Sequence, residues 1–218
     1  RNAAFNLANG DYITVLDTDD YWHKDKLNLQ LKKINQNNNI GLVFGLCQHI
    51  NSLGKKTYIK KIDNNYCNKN FIKNYLSNQL ISNSSVMINK KILRKLDYIY
   101  DENYELIHDF DLNIRLSKIC KFDFVNSILL YRRQHESNYS NIDYSIQINE
   151  MKNWINRNSN SLSKNLLNIF KQNIDLLIFF NELRNKKYFK SFFYFLKLPF
   201  NKKYFILHNK FIKSITHV

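Results

Sequence analysis

Up to about residue 144, apolar positions alternate between two rhythms. Short runs rich in β-branched residues leave no room for helical periodicity and predict buried strands: YITVLD at 12–17, IGLVFGLCQHI at 40–50 and SSVMI at 84–88. FDFVNSILLYRR at 122–133 has the same character, and TYIKKI at 57–62 reads as a further strand. Between these runs the spacing becomes helical. RNAAFNLANGD at the start predicts a short helix, with Ala4, Leu7 and Ala8 on one face and Gly10 at its C-cap. DYWHKDKLNLQLKKI predicts a second, its apolar face formed by Leu27, Leu31 and Ile34. Residues 68–81, NKKILRKL and HDFDLNIRLSKI also read as helices. Alternating strands and helices predict an α/β domain on a partly parallel sheet over residues 1–144. From 145 to 218 the pattern is helical and basic, without strands.

Composition narrows the picture. The chain has 218 residues, enough for one sizeable domain with an appendage. With 4 Gly and 1 Pro, a long flexible linker between the two regions is not expected. Cys47, Cys67 and Cys120 are far apart and form no CxxC pair, which argues against a disulfide framework or a zinc site and for a reduced, cytoplasmic setting. No apolar run approaches the ~18 residues that span a bilayer. The sequence begins at Arg1 rather than Met, so the expectation is that N-terminal sequence precedes it. A formal net charge of +15 points to an anionic partner: nucleic acid, a phospholipid surface or a phosphorylated small molecule. A solvated Lys-rich surface explains the charge equally well.

Against this basic background the densest acidic patch is LDTDDYW, where Asp17, Asp19 and Asp20 follow a strand. Side chains alternate along a strand, so Asp17 and Asp19 are expected on one face. Two adjacent carboxylates repel unless a cation lies between them, and Mg²⁺ or Mn²⁺ prefers oxygen ligands. The carboxyl end of a strand in an open α/β sheet is also where ligands bind. Helix capping by Asp19 or Asp20 is the alternative reading.

These residues carry a resemblance. Arg1, Asn2, Gly10, Asp17, Asp19, Asp20, Trp22, Lys26, Leu27 and Gln30 stand in an order that resembles the core of family 2 glycosyltransferases, inverting GT-A enzymes with nucleotide-sugar donors. The resemblance implies a GT-A, Rossmann-like α/β fold that here lacks its first strands and carries a C-terminal helical appendage. It implies that Arg1, Asp17, Arg132 and Arg133 bind the nucleotide sugar. Asp17, Asp19 and His135 would hold the Mg²⁺ or Mn²⁺, and Trp22, Ser85 and His108 would lie on the acceptor side. Asp109 in ELIHDFDLNIRL falls on the family's catalytic base, while His108 stands where the family commonly has Glu. Asp111 reads instead as a dipole-compensating partner of Arg115 at i+4. LLYRRQHESNYS resembles the family's closing loop.

The implied function is sugar transfer to a glycan or lipid-linked acceptor for bacterial surface polysaccharide, with no nucleic acid partner. The 218 residues alone are expected to be inactive, because the base-binding strands would lie upstream. Two rivals stand beside it: a basic nucleic-acid-binding protein, which leaves the acidic cluster facing phosphate, and a non-catalytic remnant of the fold. The tail FKSFFYFLKLPFNKKYFILHNKFIKS interleaves aromatic and Lys residues. It admits two readings: basic amphipathic helices in peripheral contact with an anionic membrane at its inner face, or a helical appendage only.

Overall fold

The structure, a computed structural model, describes residues 1–135 and 144–199. The chain divides into two compact units, Arg1–Asn138 and Tyr139–Val218. The expected helix–strand alternation is found in the first: α1 (Asn2–Leu7), β1 (Tyr12–Thr14), β2 (Tyr21–Trp22), α2 (Lys26–Ile34), β3 (Ile40–Ile50), β4 (Lys56–Ile59), α3 (Phe71–Ser77), β5 (Met87–Asn89), α4 (Lys90–Leu93), α5 (His108–Ser117) and β6 (Lys121–Arg133). The sheet runs β1-β5-β3-β6-β2, with β4 beside the far end of β3. β3 and β6 pair in parallel, whereas β5, β4 and β2 join antiparallel, so the sheet is mixed as expected.

β3 is buried along nearly its whole length, which explains its unbroken apolar sequence. Gly41 and Gly45 leave room for Cys120, just before β6, and for Leu129 of β6: a Cβ on Gly45 would sit 2.4 Å from Leu129 Cδ1, and one on Gly41 2.4 Å from Cys120 Sγ. The core of this unit gathers Leu42, Val43 and Phe44 of β3, Leu129 and Leu130 of β6, and Leu112 and Leu116 of α5.

Three local expectations are corrected. β1 stops at Thr14, and residues 15–17 lie outside any strand. α1 ends at Leu7 with an extended Ala8 as its C-cap, and Gly10 does not adopt a positive φ. Most informatively, α2 exposes Leu27 and Leu31 and buries Lys26, Gln30 and Ile34. The β3–β5 ladder pairs Leu42 with Ile88 and Val43 with Met87 and stops there, leaving the carbonyls of Val43, Ser85 and Val86 at its end to find other donors. Gln30 Nε2 reaches Val43 O at 2.7 Å and Ser85 O at 2.9 Å, and Lys26 Nζ reaches Val86 O at 3.3 Å. Polar side chains therefore occupy the inner face because buried backbone needs them.

The second unit contains α6 (Tyr144–Asn158), α7 (Lys164–Arg184) and α8 (Tyr188–Lys197). Trp154 packs on Phe170 at 5.2 Å between ring centroids, and Phe179 on Phe195 at 6.0 Å. Ser163 caps α7 by accepting from Leu166 N. At the other end Lys186 adopts φ 59° and Lys187 N donates to Glu182 O at 2.9 Å, a left-handed helix stop normally given to glycine. Among the described residues no helix is long and apolar enough to cross a membrane.

Candidate active site

Because β1 ends early, Asp17 to Asp20 form a turn, closed by Asp20 N donating to Asp17 O at 3.1 Å. The expected shared face of Asp17 and Asp19 is lost, since strand alternation no longer applies, and the two carboxylates take different partners. Asp17 Oδ2 accepts from Ser84 Oγ at 2.9 Å, its own N–H returns a bond to Ser84 Oγ at 3.1 Å, and Arg1 lies 3.5 Å from Oδ1. Asp19 Oδ2 lies 3.1 Å from His135 Nε2. Asp20 Oδ1 accepts from Arg133 N at 3.2 Å, and Arg133 Nε donates to Asp19 O at 3.3 Å. Burial raises the Asp20 carboxyl above the usual carboxylate range, opposed by the Arg133 N–H and reinforced by Asp19. Arg133 thus anchors the acidic turn to the end of β6, 113 residues away in sequence. Arg132 acts electrostatically on Asp20 and on Cys47, His49 and Lys60.

The segment opposite is a one-turn 3₁₀ helix, Asn83–Ser85. Ser84 is the residue that meets Asp17; Ser85 is wholly buried and donates to Ser82 O at 2.7 Å. Trp22 donates from Nε1 to Ser84 O at 2.8 Å, and Lys26 Nζ sits 4.3 Å from its ring. Trp22, Lys26 and Gln30 therefore hold the serine turn against the acidic turn. Burial lowers the Lys26 ammonium to about 7.

Asp109 opens α5. Its Oδ1 accepts from Phe110 N at 2.8 Å, and burial raises its carboxyl above the usual range against the opposing influence of His108, Phe110 N–H and Arg1. Arg1 pairs with Asp17 at 3.5 Å and also acts electrostatically on Asp109, so one guanidinium is within reach of two carboxylates 92 positions apart in sequence. Asn2 fixes Tyr100 by donating to its carbonyl and accepting from its N–H, each at 3.0 Å. Burial pushes the Tyr100 hydroxyl up to about 12, against the opposing influence of Arg1 and the Asn83 side chain. Beside it a pocket of about 500 Å³ is lined by residues including Arg1, Tyr100, Tyr104, Glu105 and His108. His108 Nδ1 lies 2.9 Å from Glu105 O, and its ring meets Tyr100 edge-on at 5.1 Å. Asp111 pairs with Arg115 at 2.8 Å, and Arg115 also donates to Tyr98 O and Ile99 O. Ser84 and Tyr100 carried no signal in the sequence: one adjoins an identical residue, the other is one of 14 tyrosines.

The acidic turn can be tested for a cation. Asp19 and His135 offer one carboxylate oxygen and one imidazole nitrogen, facing each other, which suits Mn²⁺ or Mg²⁺ completed by phosphate oxygens and water. Asp17 does not join them, and among the described residues no three His, Cys, Asp or Glu side chains form a metal-holding group.

The sequence model of the family described as "Glycosyltransferase like family 2" matches residues 1–195. An uncharacterised glycosyltransferase of Methanocaldococcus jannaschii is 35% identical over 141 residues, covering 64% of this chain and 48% of that protein. The amylovoran biosynthesis glycosyltransferase AmsB of Erwinia amylovora is 31% identical over 129 residues, covering 57% of this chain and 42% of AmsB. Chondroitin synthase of Pasteurella multocida is 30% identical over 139 residues, which are 64% of this chain and 14% of that protein. The chain thus spans about half or less of these curated relatives. Among solved structures, S. aureus TarS 1–349 in complex with UDP-GlcNAc superposes with a TM-score of 0.50 at 13% identity, over 78% of this chain and 49% of that one. That likeness is one of fold.

Proposed function

Because this chain belongs to the glycosyltransferase like family 2, we propose that it moves a sugar from a nucleotide-sugar donor to a glycan or lipid-linked acceptor, with inversion. The observation that carries the reading is Arg1, paired with Asp17 at 3.5 Å and within electrostatic reach of Asp109. An inverting transfer needs a carboxylate on the acceptor side and a charge-compensated donor site across from it. Asp109 takes the proton of the attacking acceptor hydroxyl as that oxygen bonds to the anomeric carbon and the nucleoside diphosphate leaves. Its raised pKa suits a base, because proton affinity rises with it. Asp17, oriented by Ser84 and Arg1, receives donor hydroxyls. Arg132 and Arg133 supply positive charge toward the diphosphate. Asp19 and His135 would hold Mg²⁺ or Mn²⁺, whose charge would stabilise the leaving diphosphate.

The pocket lined by Arg1, Glu105 and His108, the residue before Asp109, is the acceptor side in this reading. The names of two relatives, a chondroitin synthase and an amylovoran biosynthesis enzyme, support polysaccharide synthesis as the setting. A nucleic acid partner is disfavoured because Asp17, Asp19 and Asp20 would face phosphate.

Calorimetry with Mn²⁺ and a panel of nucleoside diphosphates, joined to a nucleotide-release assay with sugar donors, on protein that includes the residues encoded upstream of Arg1, tests the proposal. Asp19→Ala is expected to abolish metal-dependent nucleotide binding. Asp109→Asn is expected to leave that binding intact and lower transfer by ~10²–10⁴-fold. Unchanged turnover in Asp109→Asn would remove the assigned base, and metal-independent binding would remove the cation.

A further inference from the structure

α8 has two apolar faces, and only one of them packs within its unit. Ser191, Phe195 and Leu198 are buried, with Ser191 Oγ donating to Phe179 O and Phe195 against the Phe179 ring. On the other side Tyr188 is 61% exposed, Phe189 90%, Phe193 54% and Leu196 65%, with Phe192 also exposed among them. At 3.6 residues per turn these five positions fill a continuous arc of roughly 140°. Single exposed apolar residues need no explanation, but a continuous stripe of four aromatic rings and a leucine marks an interaction surface.

The charge around the stripe selects its partner. Lys197 borders the arc with Nζ 4.5 Å from the Phe193 ring, Lys190 beside it pairs with Glu182 at 3.0 Å, and Lys186 and Lys187 precede the helix. Residues 183–218 contain nine Lys or Arg and no Asp or Glu. No acidic residue occupies the first turn of α8, so cations crowd the positive end of its dipole, where an anion is needed. A second copy of this chain would bring lysine against lysine, and protein interfaces are depleted in lysine. A bilayer with acidic lipids answers both features: aromatic rings settle at the headgroup–acyl boundary, and lysines meet phosphates beside them.

We propose that the outward face of α8 docks on an anionic phospholipid surface, with Phe189, Phe193 and Leu196 entering the boundary region and Lys186, Lys187 and Lys197 contacting headgroups.

Co-sedimentation of the full chain with vesicles tests this. Vesicles of phosphatidylcholine with about 30% phosphatidylglycerol are expected to carry the protein down, and pure phosphatidylcholine to bind at least about tenfold less. Phe189→Ser with Phe193→Ser is expected to weaken binding to the anionic vesicles by tenfold or more, roughly the effect of withdrawing two buried rings. Both positions are exposed, so the circular dichroism melt should be unchanged. Phe189→Trp provides a second measurement: its emission should shift to the blue on vesicle addition and be quenched by brominated lipid. The proposal is overturned if the parent chain stays in the supernatant, or if the double serine variant sediments like the parent. It is also overturned if light scattering shows a dimer that the serine variant abolishes.

Discussion

Asp109 works against its surroundings. Its carboxyl loses water on folding, so the charged form is disfavoured and the folded-state pKa lies above the unfolded one. The linkage has a definite sign. The folded state binds the proton more tightly, so Asp109 favours folding in acid, and that contribution is lost as pH rises through its folded pKa. Asparagine carries no such penalty. Asp109→Asn should therefore melt higher than the parent at neutral pH, the gap widening as pH rises and closing in acid, although transfer is lost. Thermal melts over a pH series check this; a variant less stable at neutral pH, or a pH-independent gap, contradicts it. Lys26 shows the same conflict in a cation: wholly buried, its pKa falls to about 7, so stability should rise between that pH and the unfolded lysine value of about 10.4.

At the scale of elements, the sequence was legible where burial alone decides. β3 and β6 were readable because both are long and apolar and sit in the middle of the sheet. α2 was readable as a helix, but its inner face was not. Leu27, Leu31 and Ile34 form a good apolar stripe, yet the helix turns Lys26 and Gln30 inward to serve the carbonyls of Val43, Ser85 and Val86. A need that arises only when β3 and β5 diverge leaves no trace in periodicity. The acidic turn was found by its composition, whereas its geometry depended on where β1 stops, and element ends are set by tertiary pairing. The choice of Ser84 over Ser85 depended on that geometry in turn. The α2 seam makes a separate prediction. Gln30→Leu removes two donated hydrogen bonds from buried acceptors and should cost about 2 kcal/mol, seen as a fall in melting temperature of roughly 4–8 °C. Parental stability would show that these bonds do not hold the serine turn.

At the scale of the whole molecule, the positive charge is unevenly shared. Residues 1–138 carry 20 Lys and Arg against 14 Asp and Glu, a net of +6, while residues 139–218 carry 13 against 4, a net of +9. The smaller unit is therefore the more basic, and the proposed chemistry resides in the other. A highly basic chain with an acidic cluster is no contradiction once the two tasks are assigned to different units: a cation and a nucleotide sugar at the turn of Asp17 to Asp20, a charged lipid surface at α8. Each unit has its own buried core, so damage to one function should leave the other intact. Asp109→Asn should sediment with anionic vesicles as the parent does. Phe189→Ser with Phe193→Ser should transfer to a water-soluble acceptor within about twofold of the parental rate, since both positions are exposed and lie in the other compact unit. Raising salt from about 50 mM to about 500 mM shortens the screening length severalfold and should strip the parent from vesicles, while the loss of transfer in Asp109→Asn stays salt-independent. Measuring sedimentation and transfer on both variants in one salt series gives four outcomes. If the serine variant loses transfer to a soluble acceptor in step with vesicle binding, the two units do not act independently and the division of labour fails.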